Sequence, residues 1–128
     1  MSESRRDWLS LLARANAEAL KKLWEASGLT PEHQVLRAPE IGGVMTRGRT
    51  GATGAPFNLG EVTVTRCSVQ ITTGEVGHGY VQGRDKAKAH RVAIIDAMLQ
   101  TDAHDHIERD VLAILRLAEN ERRAARAA

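Results

Sequence analysis

The chain has 128 residues, of which 42% are hydrophobic, and its formal charge is only +2. That length allows one core and excludes two domains joined by a linker. The small charge excludes a surface that binds polyanions through bulk charge, so any anion site has to come from local clustering.

In chain order, residues 5–27 carry the spacing of one amphipathic helix, with Trp8, Leu12, Ala15, Ala19, Leu20, Leu23 and Trp24 recurring at three- and four-residue steps. Gly28 is placed to end it. Thr30 followed by Pro31 allows a short helical turn at most. Residues 34–47 read as two short strands bent at Gly42 and Gly43, and "RGRTGATGAPFNLG" (47–60) reads as a glycine-rich loop. In residues 61–72 the alternation changes phase: Val62 and Val64 share one face, and Cys67, Val69 and Ile71 the other. Either a bulge near Arg66 unites them or the strand is covered on both faces. Thr73 and Gly74 turn the chain into a strand over 75–82, completing a sheet region of 34–82. Helices follow over 85–100, capped by Asp85, and over 104–125. The expected fold is α+β in a single domain, 1–128: an N-terminal helix, a small, mostly antiparallel sheet with a glycine-rich loop and a hairpin, and two C-terminal helices.

Two segments have the composition of anion sites. Arg47 and Arg49 flank a loop whose Gly51 and Gly54 could present backbone N–H groups, although no Gly-Lys-Ser/Thr follows as in a P-loop. The alternative is a solvated surface loop. The start of the 85–100 helix carries Arg84, Lys86, Lys88 and Arg91, with Lys88 and Arg91 expected on one face. Its alternatives are a solvated cationic edge and a docking surface for an acidic protein. Gly77, Gly79 and Gly83 space as G-x-G-x-x-x-G, which rejects dinucleotide binding and favours close packing of the strand.

Asp96 lies in the apolar arc of its helix, and Arg66 on the Val62/Val64 face of its strand. Each charge needs a partner, and their mutual pairing is preferred to a catalytic acid. The one cysteine, Cys67, excludes an intrachain disulfide and cannot alone hold an iron–sulfur cluster. It reads as buried and inert. Histidines 33, 78, 90, 104 and 106 are scattered, so no metal site is assigned, and no spacing defends a catalytic residue. Few aromatics argue against nucleic-acid binding. The absence of an apolar run of about 18 residues or of a signal pattern argues for a cytoplasmic chain without a membrane partner.

Together, "VLRAPEIGGVMTRGR", "TGATGAPFNLGEVTVTRCSVQI" and "GEVGHGYVQGRDKAKAHRVAIIDAMLQ" resemble the PhnG subunit family of the bacterial carbon–phosphorus lyase system. The most specific parts are Arg37-Ala38-Pro39-Glu40, the run from Gly54 to Glu61, Thr65-Arg66-Cys67, Gly83-Arg84-Asp85 and Ile95-Asp96-Ala97. The family continues into an aromatic tail, where these residues read "ENERRAARAA". The resemblance implies a core complex with PhnH-, PhnI- and PhnJ-type subunits and a PhnL-type ATPase. That complex displaces adenine from MgATP with a phosphonate, and PhnJ then cleaves the carbon–phosphorus bond by radical chemistry. MgATP is then a substrate of the complex, and this chain holds no cofactor itself. Under this reading Arg47, Arg49, Gly51, Gly54, Arg66, Arg84 and Lys88 are the anion-holding candidates. The rival reading gives the same cationic surface, with the amphipathic ends Trp8–Trp24 and Ile107–Leu117, to partner docking. A homodimer of the isolated chain stays open.

Overall fold

The computed structural model describes residues 2–49 and 56–127, with the side chains of 46–59 outside that description. The N-terminal helical stretch is broken rather than continuous over 5–27. Helix α1 (Glu3–Arg14) starts at Ser2, whose hydroxyl accepts from the Arg5 N–H, and α2 (Ala17–Ala26) starts at Asn16, whose side chain accepts from the Ala19 N–H. Asn16 competes for the backbone as an N-cap and so interrupts the helix. The apolar rhythm runs through the break because Trp8, Leu12, Leu20 and Trp24 all enter the same core. Gly28 follows α2 with φ +77°, as its placement predicts.

Thr30 and Pro31 form no helical turn, and β1 (His33–Arg49) runs unbroken where two strands were expected. Gly42 and Gly43 do not bend it: they pair with Val64 and Thr63 of β2 (Pro56–Ile71). A Cβ on Gly43 would meet only the mobile carboxylate end of the Glu61 side chain, and one on Gly42 would meet nothing, so neither glycine is required by close packing. Both strands reach into the segment read as loop. After a turn in which Gly74 has φ +104°, β3 (Val76–Gln82) completes an antiparallel sheet of order β1-β2-β3.

The irregularities in pairing fall in β1, between Val35 and Glu40, and near Thr46, where β2 carries the extra residue; neither is at Arg66. Thr65, Cys67, Val69 and Ile71 therefore point inward together, while Val64 is buried from the other side. The buried Thr65 hydroxyl donates to the Gly83 carbonyl at 2.7 Å.

Helix α3 (Lys86–Leu99) lies against the inner face of the sheet, α1 packs on both α3 and β3, α2 also touches α3, and nearly all sides of α3 are covered toward its C-terminal end. Close packing is enforced by glycine: a Cβ at Gly77 would collide with the Ala93 carbonyl, and one at Gly79 with that of Ala89. The C-terminal run is continuous, as α4 (His104–Ile107), a π-helical turn (Glu108–Leu112) and α5 (Ala113–Ala127). Ile107, Val111, Leu112 and Leu115 join the core. The fold is α+β, as expected.

Candidate functional site

On the inner side of β3, Asp96 is fully buried. Its Oδ1 accepts from Arg5 Nε at 3.1 Å and Trp8 Nε1 at 2.8 Å, and its Oδ2 from Arg5 Nη2 and the His78 backbone N–H, both at 2.8 Å. Hydrogen bonding to Asp96 raises the Arg5 guanidinium above its already high value, opposed by partial burial. With four donors on two oxygens the carboxylate is saturated, which makes it a structural tie between α1, β3 and α3. The expected pair of Asp96 with Arg66 does not form, because strand alternation puts Arg66 on the opposite face of the sheet from α3.

On that outer face, three segments that carried the family resemblance meet. Arg37, Ser68 and His78 align in one row across the three strands, and Glu40, Arg66 and Tyr80 in the next. Arg66 lies over the Tyr80 ring, 5.8 Å from its centroid. The Ser68 hydroxyl is 2.9 Å from His78 Nδ1. A depression of about 300 Å³ is lined by Arg37, Arg66, Ser68, His78 and Tyr80. Among the described residues neither arginine forms an ion pair or a side-chain hydrogen bond. Ser68 and His78 do not make a nucleophile–base–orienter set, because Asp96 reaches the His78 backbone and not its ring. The arrangement can hold an oxyanion or dock a carboxylate through two guanidiniums, but it has no activated nucleophile.

The remaining candidates are dispersed. Lys88 reaches across to α1, where its ammonium donates to the carbonyls of Ala13 at 2.8 Å and Ala15 at 2.7 Å. This explains one cation at a helix start: it caps the negative end of the neighbouring helix. Desolvation, partly offset by Asp85, lowers its pKa. Lys88 and Arg91 accordingly do not act as a pair, since Arg91 lines a concavity beside α2. Arg84 is exposed in the turn before α3 and forms no ion pair among the described residues. Arg47 and Arg49 lie at the end of β1, opposite Asn58 and Pro56, with side chains outside the described set. Gly51 and Gly54 fall outside the described residues.

Of the amphipathic ends expected to face partners, Trp8 and Trp24 are buried, and Ile114 and Leu117 are exposed. Cys67 is buried, which pushes its thiol pKa up. Among the described residues no cluster of three or more His, Cys, Asp or Glu is placed to hold a metal, and no helix is long and apolar enough to cross a membrane.

Sequence reading missed Arg37, Ser68, His78 and Tyr80 as neighbours of Arg66. All but Arg37 was available: the turn at Thr73–Gly74 fixes a hairpin register in which 68 meets 78 and 66 meets 80. Arg37 was not reachable, because the β1 irregularities shift its register.

Fold and site together define a small α+β protein presenting, on an open sheet face, two arginines without an ion pair among the described residues. Residues 3–128 match the family model described as "Phosphonate metabolism protein PhnG", and the chain belongs to that family. A curated relative, the alpha-D-ribose 1-methylphosphonate 5-triphosphate synthase subunit PhnG of Rhizobium meliloti (strain 1021), is 51% identical over 100 residues. The aligned stretch covers 78% of this chain and 64% of that relative, under two thirds of its length.

Proposed function

We propose that this chain, acting as one domain over 1–128, is an accessory subunit of a carbon–phosphorus lyase core complex. In that role it is needed for a phosphonate to displace adenine from MgATP, giving ribose 1-phosphonate 5-triphosphate. Its partners are PhnH-, PhnI- and PhnJ-type subunits, with a PhnL-type ATPase joining them in the cytoplasm. The observation that carries the reading is the 51% identity to a synthase subunit. The chain contributes charge and position and no reacting group. Arg66 and Arg37, held on paired strands, face the anionic substrate; Arg47, Arg49 and Arg84 supply further positive potential, and Gly51 and Gly54 are proposed to offer it backbone N–H groups.

A second reading, in which the chain only docks a PhnI-type partner, is favoured by two observations. Lys88 is already held by backbone carbonyls, and the Ser68–His78 pair lacks a third group to activate it. Co-expression of the tagged chain with PhnH-, PhnI- and PhnJ-type subunits tests the common core: a stoichiometric complex is expected, and recovery of the chain alone overturns it. Arg66→Ala then separates the two roles. If Arg66 faces substrate, the complex assembles with reduced adenine release. If it faces a partner, complex yield falls while activity per complex is unchanged.

A further inference from the structure

A second concavity among the described residues lies away from the sheet face, between the end of α2, the start of β1 and α3. We infer that it is a binding site for an organic oxyanion carried on a flat apolar body, gripped by Arg91 and the His33–His90 pair. This inference is independent of the role proposed above.

The cavity volume is about 480 Å³, within the usual range of small-molecule sites of about 300–1,000 Å³. Its lining mixes two chemistries. Trp24, Leu29, Pro31 and Ile94 supply apolar surface, and His33, His90 and Arg91 basic groups among it, with Glu25 the acid in the lining. Arg91 is half-buried and, among the described residues, has neither an ion pair nor a hydrogen bond. A guanidinium that has lost part of its water and gained no acceptor is left with unused donors.

The two histidines are arranged to share a proton. His33 Nδ1 lies 3.1 Å from the Pro31 carbonyl, which can only accept, so that nitrogen carries the hydrogen. His33 Nε2 then meets His90 Nε2 at 3.0 Å, with ring centroids 5.1 Å apart. One hydrogen between those nitrogens serves both the neutral pair and the singly protonated pair. An anion beside Arg91 favours the protonated one, so binding takes up a proton. The charged and titratable groups facing this proton are Glu25 from α2, His33 from β1, and Arg91 from α3. In the free protein, burial first, and then His33 and Arg91, push the His90 pKa below its ordinary value. A metal ion is a poorer occupant: only two nitrogens converge, and Arg91 repels a cation.

The test is titration of the full chain with phenylphosphonate, followed by two-dimensional NMR of the histidine rings, the Trp24 indole and the Arg91 side chain. Saturable shifts at those groups are expected. Benzoate keeps one charge across the window, so its affinity should fall as pH rises from about 6 to about 8, and Arg91→Gln should weaken either probe at least tenfold. Inorganic phosphate, which lacks the apolar body, should bind at least about tenfold more weakly. Benzoate compared with phenylphosphonate decides whether the oxyanion is a carboxylate or a phosphoryl group, and either, bound through these residues, upholds the site. His90→Gln keeps the wall and removes the shared proton, so it should flatten the pH dependence. Absence of saturable shifts, equal affinity in a folded Arg91→Gln protein, or equal binding of inorganic phosphate would each overturn the proposal.

Discussion

Strand β3 sends side chains alternately to two environments, and the charges on the two sides are held in different ways. Inward, Gly77 and Gly79 let α3 approach closely enough for Asp96 to reach the His78 N–H, and Arg5 and Trp8 complete its acceptors. Outward, His78 and Tyr80 stand beside Arg66 and Arg37, whose guanidinium donors are unused among the described residues. The buried charge costs desolvation and is retained only because every partner is present. The exposed charges cost little to keep, and their free donors leave them available to something outside the fold. Saturation of hydrogen-bonding capacity, more than charge itself, separates the structural ionic groups from the functional candidates.

The largest effect should come from breaking the inner arrangement. Asp96→Ala leaves Arg5, Trp8 and the His78 N–H without their acceptor, and should destabilise the protein by about 3–5 kcal/mol in denaturant unfolding. A loss under about 1 kcal/mol would mean that Asp96 is not the tie described. Next comes Lys88→Met, which keeps most of the stem but removes the donor to the last carbonyls of α1. Loss of about 1–2 kcal/mol is expected, with early hydrogen exchange at the α1–α2 junction.

A third effect is pH-dependent and confined to the concavity. The His90 pKa is lowered in the fold, so the unfolded chain binds its proton more readily. Stability is therefore full above the ordinary histidine value and is lost as pH falls through the lowered one. Melting curves between about pH 7 and about pH 5 should show that decline, and His90→Gln should reduce its slope.

Much of this contrast is legible in the sequence. The chain order of elements, the Asp85 cap, the Gly74 turn and the close-packing role of Gly77 and Gly79 follow from local chemistry. So did the need of Asp96 for a partner. The identity of that partner did not, because Arg5 is 91 positions away in sequence and nothing local distinguishes it from the neighbouring Arg6. The helix break at Asn16 was hidden because two helices packing on one core keep one apolar rhythm. Continuity of β1 through Gly42 and Gly43 was hidden because glycine signals a bend locally, and only the pairing with Val64 and Thr63 of the neighbouring strand overrides that signal. Lys88 looked like an anion ligand because its sequence neighbours are cations. Its actual ligands are carbonyls on another helix.

The smallest stability effect should be the most informative about function. Arg66→Ala removes a contact with the exposed Tyr80 ring, of a kind worth about 0.5–1 kcal/mol, so melting should barely move. Arg37→Ala, with no ion pair or hydrogen bond among the described residues to lose, should change stability by less than about 0.5 kcal/mol. If the outer face serves a ligand or partner, adenine release or complex yield should nevertheless drop, and the double variant should lose more than either single change. If instead assembly and activity are unaltered while Asp96→Ala remains severe, then open donors on this sheet are solvated charge. The distinction between saturated and unsaturated groups would then mark stability alone.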